Sequence, residues 1–151
     1  MKYIYITLLL ATMNSFGQLV KVDYADGNQK LEGFFAKAQK ANPKKIGVIV
    51  LPAWMGVDAH AKESAENLSK LGYHAFVADI YGVGNNPKNT GEAGKNAGFY
   101  KNNPAEYQKR IQLAIDQLVK AGADKNQIAV IGYCFGGTGA IEAARGNLNV
   151  K

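Results

Sequence analysis

One cysteine, Cys134, and two histidines, His60 and His74, are all that the 151 residues offer of those types. A single cysteine cannot close an internal disulfide. The histidines stand in no His-x-x-x-His or Cys-x-x-Cys spacing, so no metal-ligand cluster can be drawn. A dinucleotide fingerprint is incomplete, because Gly82-Val83-Gly84 follows a strand-like run but Pro87 takes the place of the third glycine. Gly91-Glu92-Ala93-Gly94-Lys95-Asn96 lacks the spacing and the closing Ser/Thr of a phosphate loop. The net charge is +6, yet lysines such as Lys37, Lys62, Lys95 and Lys125 are scattered and not gathered in a stripe. That pattern reads as a solvated surface and argues against a nucleic-acid partner. Neither cofactor nor metal is expected, and no internal repeat or low-complexity tract is present.

An apolar run long enough to span a bilayer is missing too. Met1-Lys2 followed by Tyr3 to Met13 is a short basic start and a short apolar core, the pattern of a secretory leader. Ser15 and Gly17 are small residues at the spacing of a cleavage site, so residues 1–17 are expected to leave before Gln18. Residues 18–151 are then expected as one periplasmic or secreted domain without membrane attachment, long enough for a sizeable core. An uncleaved N-terminal anchor is the alternative reading.

What is present centres on Gly132-Tyr133-Cys134-Phe135-Gly136-Gly137. The apolar run Gln127 to Ile131 leads in and Thr138 to Arg145 leads out, giving strand, sharp turn, helix. A turn that tight has no room for side chains beside its central residue, so Gly132, Gly136 and Gly137 bracket Cys134 and a strained backbone is expected there. At a helix N-terminus the amides and the dipole favour the thiolate, the attacking form. Cys134 thus reads as a nucleophile. Its bland alternative is a small buried core residue.

From the N-terminal side, Leu19 to Tyr24 alternates, Ala25 to Gln29 carries turn chemistry, and Leu31 to Ala36 resumes an extended pattern, which predicts a β-hairpin. Ile46 to Leu51 is a nearly continuous apolar run, suited to a strand buried on both faces. Asp58 caps a predicted helix with Ala61, Ala65, Leu68 and Leu71 on one side, stopped by Gly72. Tyr73 to Asp79 is the next strand. Tyr81 to Asn102 has little regular pattern and is expected as a binding or lid loop. Asn103-Pro104-Ala105-Glu106 marks a helix start, with Tyr107, Ile111, Ala114, Ile115 and Leu118 as its apolar stripe and Gly122 as its end. The order β-β-β-α-β-α-β-α predicts an α/β fold with a mostly parallel sheet covered on both faces.

Leu31-Glu32-Gly33, Trp54-Met55-Gly56-Val57, Leu71-Gly72-Tyr73, Ala78-Asp79-Ile80-Tyr81-Gly82 and Ile131 to Gly137 together resemble the dienelactone hydrolase family of α/β-hydrolases. The likeness covers nearly all of residues 18–151. It implies an α/β-hydrolase-type sheet with an N-terminal hairpin, and a cysteine hydrolase of ester or lactone bonds in small molecules, without metal or organic cofactor. Cys134 would form an acyl-thioester that water resolves. The backbone N–H groups of Phe135 and Trp54 would hold the developing oxyanion, and the Trp54 ring would wall the pocket.

Three departures from that family pattern matter. Ala53 replaces a glutamate found before the tryptophan, which implies a differently tuned thiol. Val83 stands where dienelactone-cleaving members place an arginine for the substrate carboxylate, so the likeness does not extend to that substrate. The acid and histidine that follow the nucleophile in α/β-hydrolases have no counterpart, since Phe135 to Lys151 contains no aspartate and no histidine. The expectation is therefore an N-terminal part of a hydrolase, or a gene product that has lost half its catalytic unit, with little turnover. Its sheet is expected to be incomplete at the C-terminus, with an open apolar edge at Ile128 to Ile131 that invites self-association. A non-catalytic binding remnant is the competing class.

Overall fold

A computed structural model describes residues 18–151. The expected leader, residues 1–17, lies outside the described residues. The elements are β1 Val20–Asp26, β2 Gln29–Ala36, β3 Gly47–Leu51, α1 Ala59–Lys70, β4 His74–Val77, α2 Thr90–Asn102, α3 Pro104–Lys120, β5 Ile128–Gly132 and α4 Phe135–Arg145. The strands form one sheet in the order β1-β2-β4-β3-β5. β1 pairs antiparallel with β2 and β2 antiparallel with β4, while β3 pairs parallel with both β4 and β5. Two reversals cancel, so β1 runs with β3, β4 and β5 and only β2 opposes them. The mostly parallel sheet and its N-terminal hairpin stand as the sequence implies.

The hairpin turns on Gly27-Asn28 alone, tighter than the five-residue turn expected, with φ +57 at Gly27. Its tip is tied to α3, because Asp26 pairs with Lys109 at 2.6 Å and with the buried Arg110 at 3.1 Å.

β3 is buried at every residue, which is what its unbroken apolar run requires of a strand covered on both faces. On one face Val50, Ala75 and Val77 pack against Ala61 and Ala65 of α1. On the other, Ile49, Leu51 and Phe76 pack with Tyr107, Ile111 and Leu118 of α3 and with Phe135 of α4. Each such Leu, Ile or Phe contributes about 1.5–3 kcal/mol by leaving water. The α3 stripe comprises all five residues expected, with Arg110 added.

Four expectations change. Residues 90–102 of the expected loop form α2. Asn89 Oδ1 accepts from Glu92 N at 2.9 Å and Glu92 Oε2 accepts from Lys88 N at 2.8 Å, a cap at the start, while Ala93, Ala97 and Tyr100 bury one face. The element order therefore holds two helices between β4 and β5. Leu71, expected in the buried stripe of α1, is 67% exposed. It follows the last helical residue, and Ser69 is buried in the stripe instead, its hydroxyl bonded to Glu66 O and Gln39 Nε2. Asn103 precedes Pro104 without a side-chain cap, since its Nδ2 donates back to Phe99 O at 2.8 Å.

β5 is the outermost strand on its side of the sheet, so its second edge pairs with no strand among the described residues. Lys151 N reaches Ile128 O on β5 at 2.9 Å.

Candidate active site

The parallel strands β3, β4 and β5 all end at the same rim, and each end supplies a loop there. β5 stops at Gly132, and Cys134 stands at φ +53, ψ −109 immediately before α4. That combination lies outside the regions an L-residue ordinarily occupies and costs about 1–3 kcal/mol. Packing enforces it. A Cβ on Gly132 would enter the Gly136 carbonyl, and one on Gly136 would enter the Leu51 carbonyl at the end of β3. Gly137 is less pressed, with the Gly132 carbonyl 3.6 Å from its Cβ position. Cys134 is exposed and its thiol is free, which rules against the buried-core reading.

The turn leaves two amides over among the described residues, those of Cys134 and Phe135. Gly136 N donates to Tyr133 O at 2.8 Å, and Gly137 N and Thr138 N donate to Cys134 O at 3.0 and 3.4 Å. Phe135 N, the first amide of α4, donates to no acceptor outside the helix among the described residues. Across the rim, the 53–56 turn after β3 is closed by Gly56 N donating to Ala53 O at 3.0 Å. Trp54 N, with its neighbours Ala53 N and Met55 N, likewise has no acceptor among the described residues. Both amides assigned from sequence to an oxyanion hole are thus without a partner among the described residues, and Trp54 as a whole is 38% exposed.

Beneath the elbow runs an aromatic column. Phe135 stacks on Tyr107 at 4.8 Å and on Tyr81 at 5.6 Å between ring centres, and Tyr107 donates its hydroxyl to Phe135 O at 3.1 Å. Tyr81 is buried, and its hydroxyl donates to Trp54 O at 2.9 Å. Burial raises the pKa of Tyr81, with the neighbouring Tyr100 and Cys134 adding to the rise, so the phenol stays protonated and remains a donor. Sequence reasoning did not single out Tyr81 for this. The signal available was its place in Asp79-Ile80-Tyr81, directly after a buried strand.

Among the described residues neither histidine hydrogen-bonds the Cys134 thiol, and His60 packs on Tyr133, the residue before Cys134. His74 is at the end of β4 far from the rim, stacked on Phe35 and accepting from Ala38 N at 3.4 Å. Its pKa is lowered, first by burial and then by Lys37 and Lys45. His60 lies in α1 with its ring edge-on to Tyr133 at 4.4 Å, and Tyr133 shares a hydrogen bond with Ser64 at 3.1 Å. Among buried carboxylates, Glu142 is held by Gln108 and Arg145. Asp79 accepts from Glu32 N at 3.0 Å and Gly82 N at 2.8 Å, locking the loop that carries Tyr81. Beside Tyr81 lies a cleft of about 430 Å³ lined by Asn85, Lys88, Lys95, Phe99 and Tyr100. Its far wall is α2, the helix that replaces the expected lid loop.

A model of the dienelactone hydrolase family matches residues 31–151. Among solved structures, m3DLH superposes with a TM-score of 0.82 at 30% identity, covering 89% of this chain and 57% of that one. A dienelactone hydrolase-like promiscuous phosphotriesterase, P91 from metagenomic libraries, gives 0.81 at 32%, covering 89% and 56%. A probable 2-oxo-3-(5-oxofuran-2-ylidene)propanoate lactonase of Bradyrhizobium sp is 28% identical over 99 residues, 65% of this chain and 40% of the relative. The chain therefore spans about half the length of these relatives.

Proposed function

The chain belongs to the dienelactone hydrolase family, and on that footing we propose that it attacks ester or lactone bonds of small molecules through Cys134. One observation carries the reading: an exposed thiol at a strained position on a helix N-terminus, with the Phe135 and Trp54 amides bonded to no acceptor among the described residues. The attacking form of a cysteine is its thiolate. Sγ adds to the carbonyl carbon, the carbonyl oxygen becomes an oxyanion between Phe135 N–H and Trp54 N–H, and its collapse expels the alkoxide, which takes a proton from water. An acyl-thioester on Cys134 remains.

The lactone in one relative's name and the phosphotriester in another's make the same demand, a nucleophile facing an electrophilic centre whose oxygen gains charge. That shared demand supports the reaction class and leaves the substrate open. Hydrolysis of the thioester needs a base to activate water. Among the described residues neither histidine hydrogen-bonds Cys134, and Phe135 to Lys151 contains no acid–histidine pair. For these 151 residues we expect one acylation without turnover. Export by the 1–17 leader is part of the same proposal.

Mixing the protein with a nitrophenyl ester should release nitrophenol once per chain, and Cys134→Ser should abolish that burst. Release that survives the substitution would end the proposal. No burst from wild-type chain whose thiol still reacts with iodoacetamide would favour a binding role.

A further inference from the structure

We propose that Tyr81 is a positioning residue for the oxyanion hole, holding the Trp54 turn and the elbow in register from one side chain; this rests on the acyl-transfer reading above. The turn over residues 53–56 has little else to fix it. Within it, Gly56 N to Ala53 O is the single backbone hydrogen bond, and Trp54 and Met55 are both exposed. An amide in such a turn can point at a developing charge only if its peptide is held before the charge appears, because reorganisation during the reaction would forfeit the gain.

Tyr81 supplies that hold. Its hydroxyl donates to Trp54 O at 2.9 Å, which pins the peptide following Trp54 and so restricts the rotation that would swing the Trp54 N–H away. Its ring stacks on Phe135, the residue bearing the other amide, at an interplanar angle of 22°. One rigid group therefore sets the distance between the two donors.

Tyr81 is itself anchored on several sides. Asn85 Nδ2 donates to Tyr81 O at 3.1 Å, Asp79 Oδ1 accepts from Gly82 N, and Asn85 N donates to Gly82 O at 3.0 Å, closing the loop around it. The ring also meets Tyr100 at 5.8 Å, and Tyr100 and Phe135 lie 6.5 Å apart, so Tyr81 sits in a three-ring cluster. Protonation is secured by burial, which keeps the phenol a donor at the pH values where a thiolate forms.

Tyr81→Phe removes only the hydroxyl and keeps the stack and the cleft wall. Two reactions of the same thiol separate positioning from general damage. Acylation by a nitrophenyl ester builds an oxyanion, whereas alkylation by iodoacetamide displaces iodide at a saturated carbon and builds none. Tyr81→Phe should slow the acylation burst about tenfold, below the loss from deleting an oxyanion donor outright, with the alkylation rate within about twofold of wild type. Equal slowing of both reactions would overturn the proposal, since it would mean a lost thiolate or a loosened fold. An unchanged acylation rate would overturn it as well. Failure of the underlying reading looks different: nitrophenol release would then persist in Cys134→Ser.

Discussion

At the elbow, Gly132 and Gly136 stand where a Cβ would enter backbone carbonyls, whereas in α2 a Cβ on Gly94 or Gly98 would meet nothing within 4 Å. Both stretches are rich in glycine. In the first, β5, α4 and the end of β3 approach backbone to backbone, and glycine is the one residue that permits the approach. In the second, no neighbour asks for it, and each glycine only weakens the helix. The contrast separates a glycine that shapes a site from a glycine that loosens an element. Composition alone treats the two alike.

The largest break in the contrast should come from Gly136→Ala. Its Cβ would fall on the Leu51 carbonyl and within 2.8 Å of Pro52 O, atoms that cannot move without displacing β3. A loss of at least about 3 kcal/mol is expected, at or beyond the upper end of overpacking, read from the urea midpoint. A loss below about 1 kcal/mol would show that the elbow can relax and that its glycines are no more constrained than those of α2. Gly139→Ala sharpens the scale. Its Cβ would meet side-chain atoms, the Tyr107 hydroxyl at 2.5 Å and Leu51 Cδ1 at 2.8 Å, which can give part way. About 1–3 kcal/mol is expected, smaller than for Gly136 because the obstacle is not backbone.

The same contrast explains which parts of the fold could be read from sequence. Steric demand at the elbow leaves its mark as Gly132-x-Cys134-x-Gly136, so the turn and the φ of +53 at Cys134 were foreseeable. β3 and α3 were legible because Ile46 to Leu51 is unbroken and Tyr107 to Leu118 keeps helical spacing. α2 was not, since Gly91, Gly94 and Gly98 dilute a stripe of only Ala93, Ala97 and Tyr100. The readable trace was Asn89 followed three residues later by Glu92, an N-terminal cap. Leu71 misled because apolar periodicity carries one residue past Lys70, where the helix has already stopped. The Tyr81 to Trp54 bond joins residues 27 apart through the crossover between β3 and β4, and no local pattern encodes such a pairing.

The smallest effect should have the opposite sign. Gly94 and Gly98 lie inside α2 with helical neighbours, no positive φ and open space where a Cβ would go. Glycine in a helix interior is about 0.5–1 kcal/mol worse than alanine, because the unfolded chain has more backbone freedom to lose. Gly94→Ala and Gly98→Ala should therefore each raise stability by about that amount, and the pair should add, since neither Cβ has a shared obstacle. Urea midpoints check the global gain, and slowed amide exchange at Ala97 and Tyr100 locates it in α2, whose buried face is only those two residues and Ala93. A fall in midpoint for either substitution would mean that α2 has a packing requirement on its open face, and the distinction between the two glycine-rich stretches would then be one of degree.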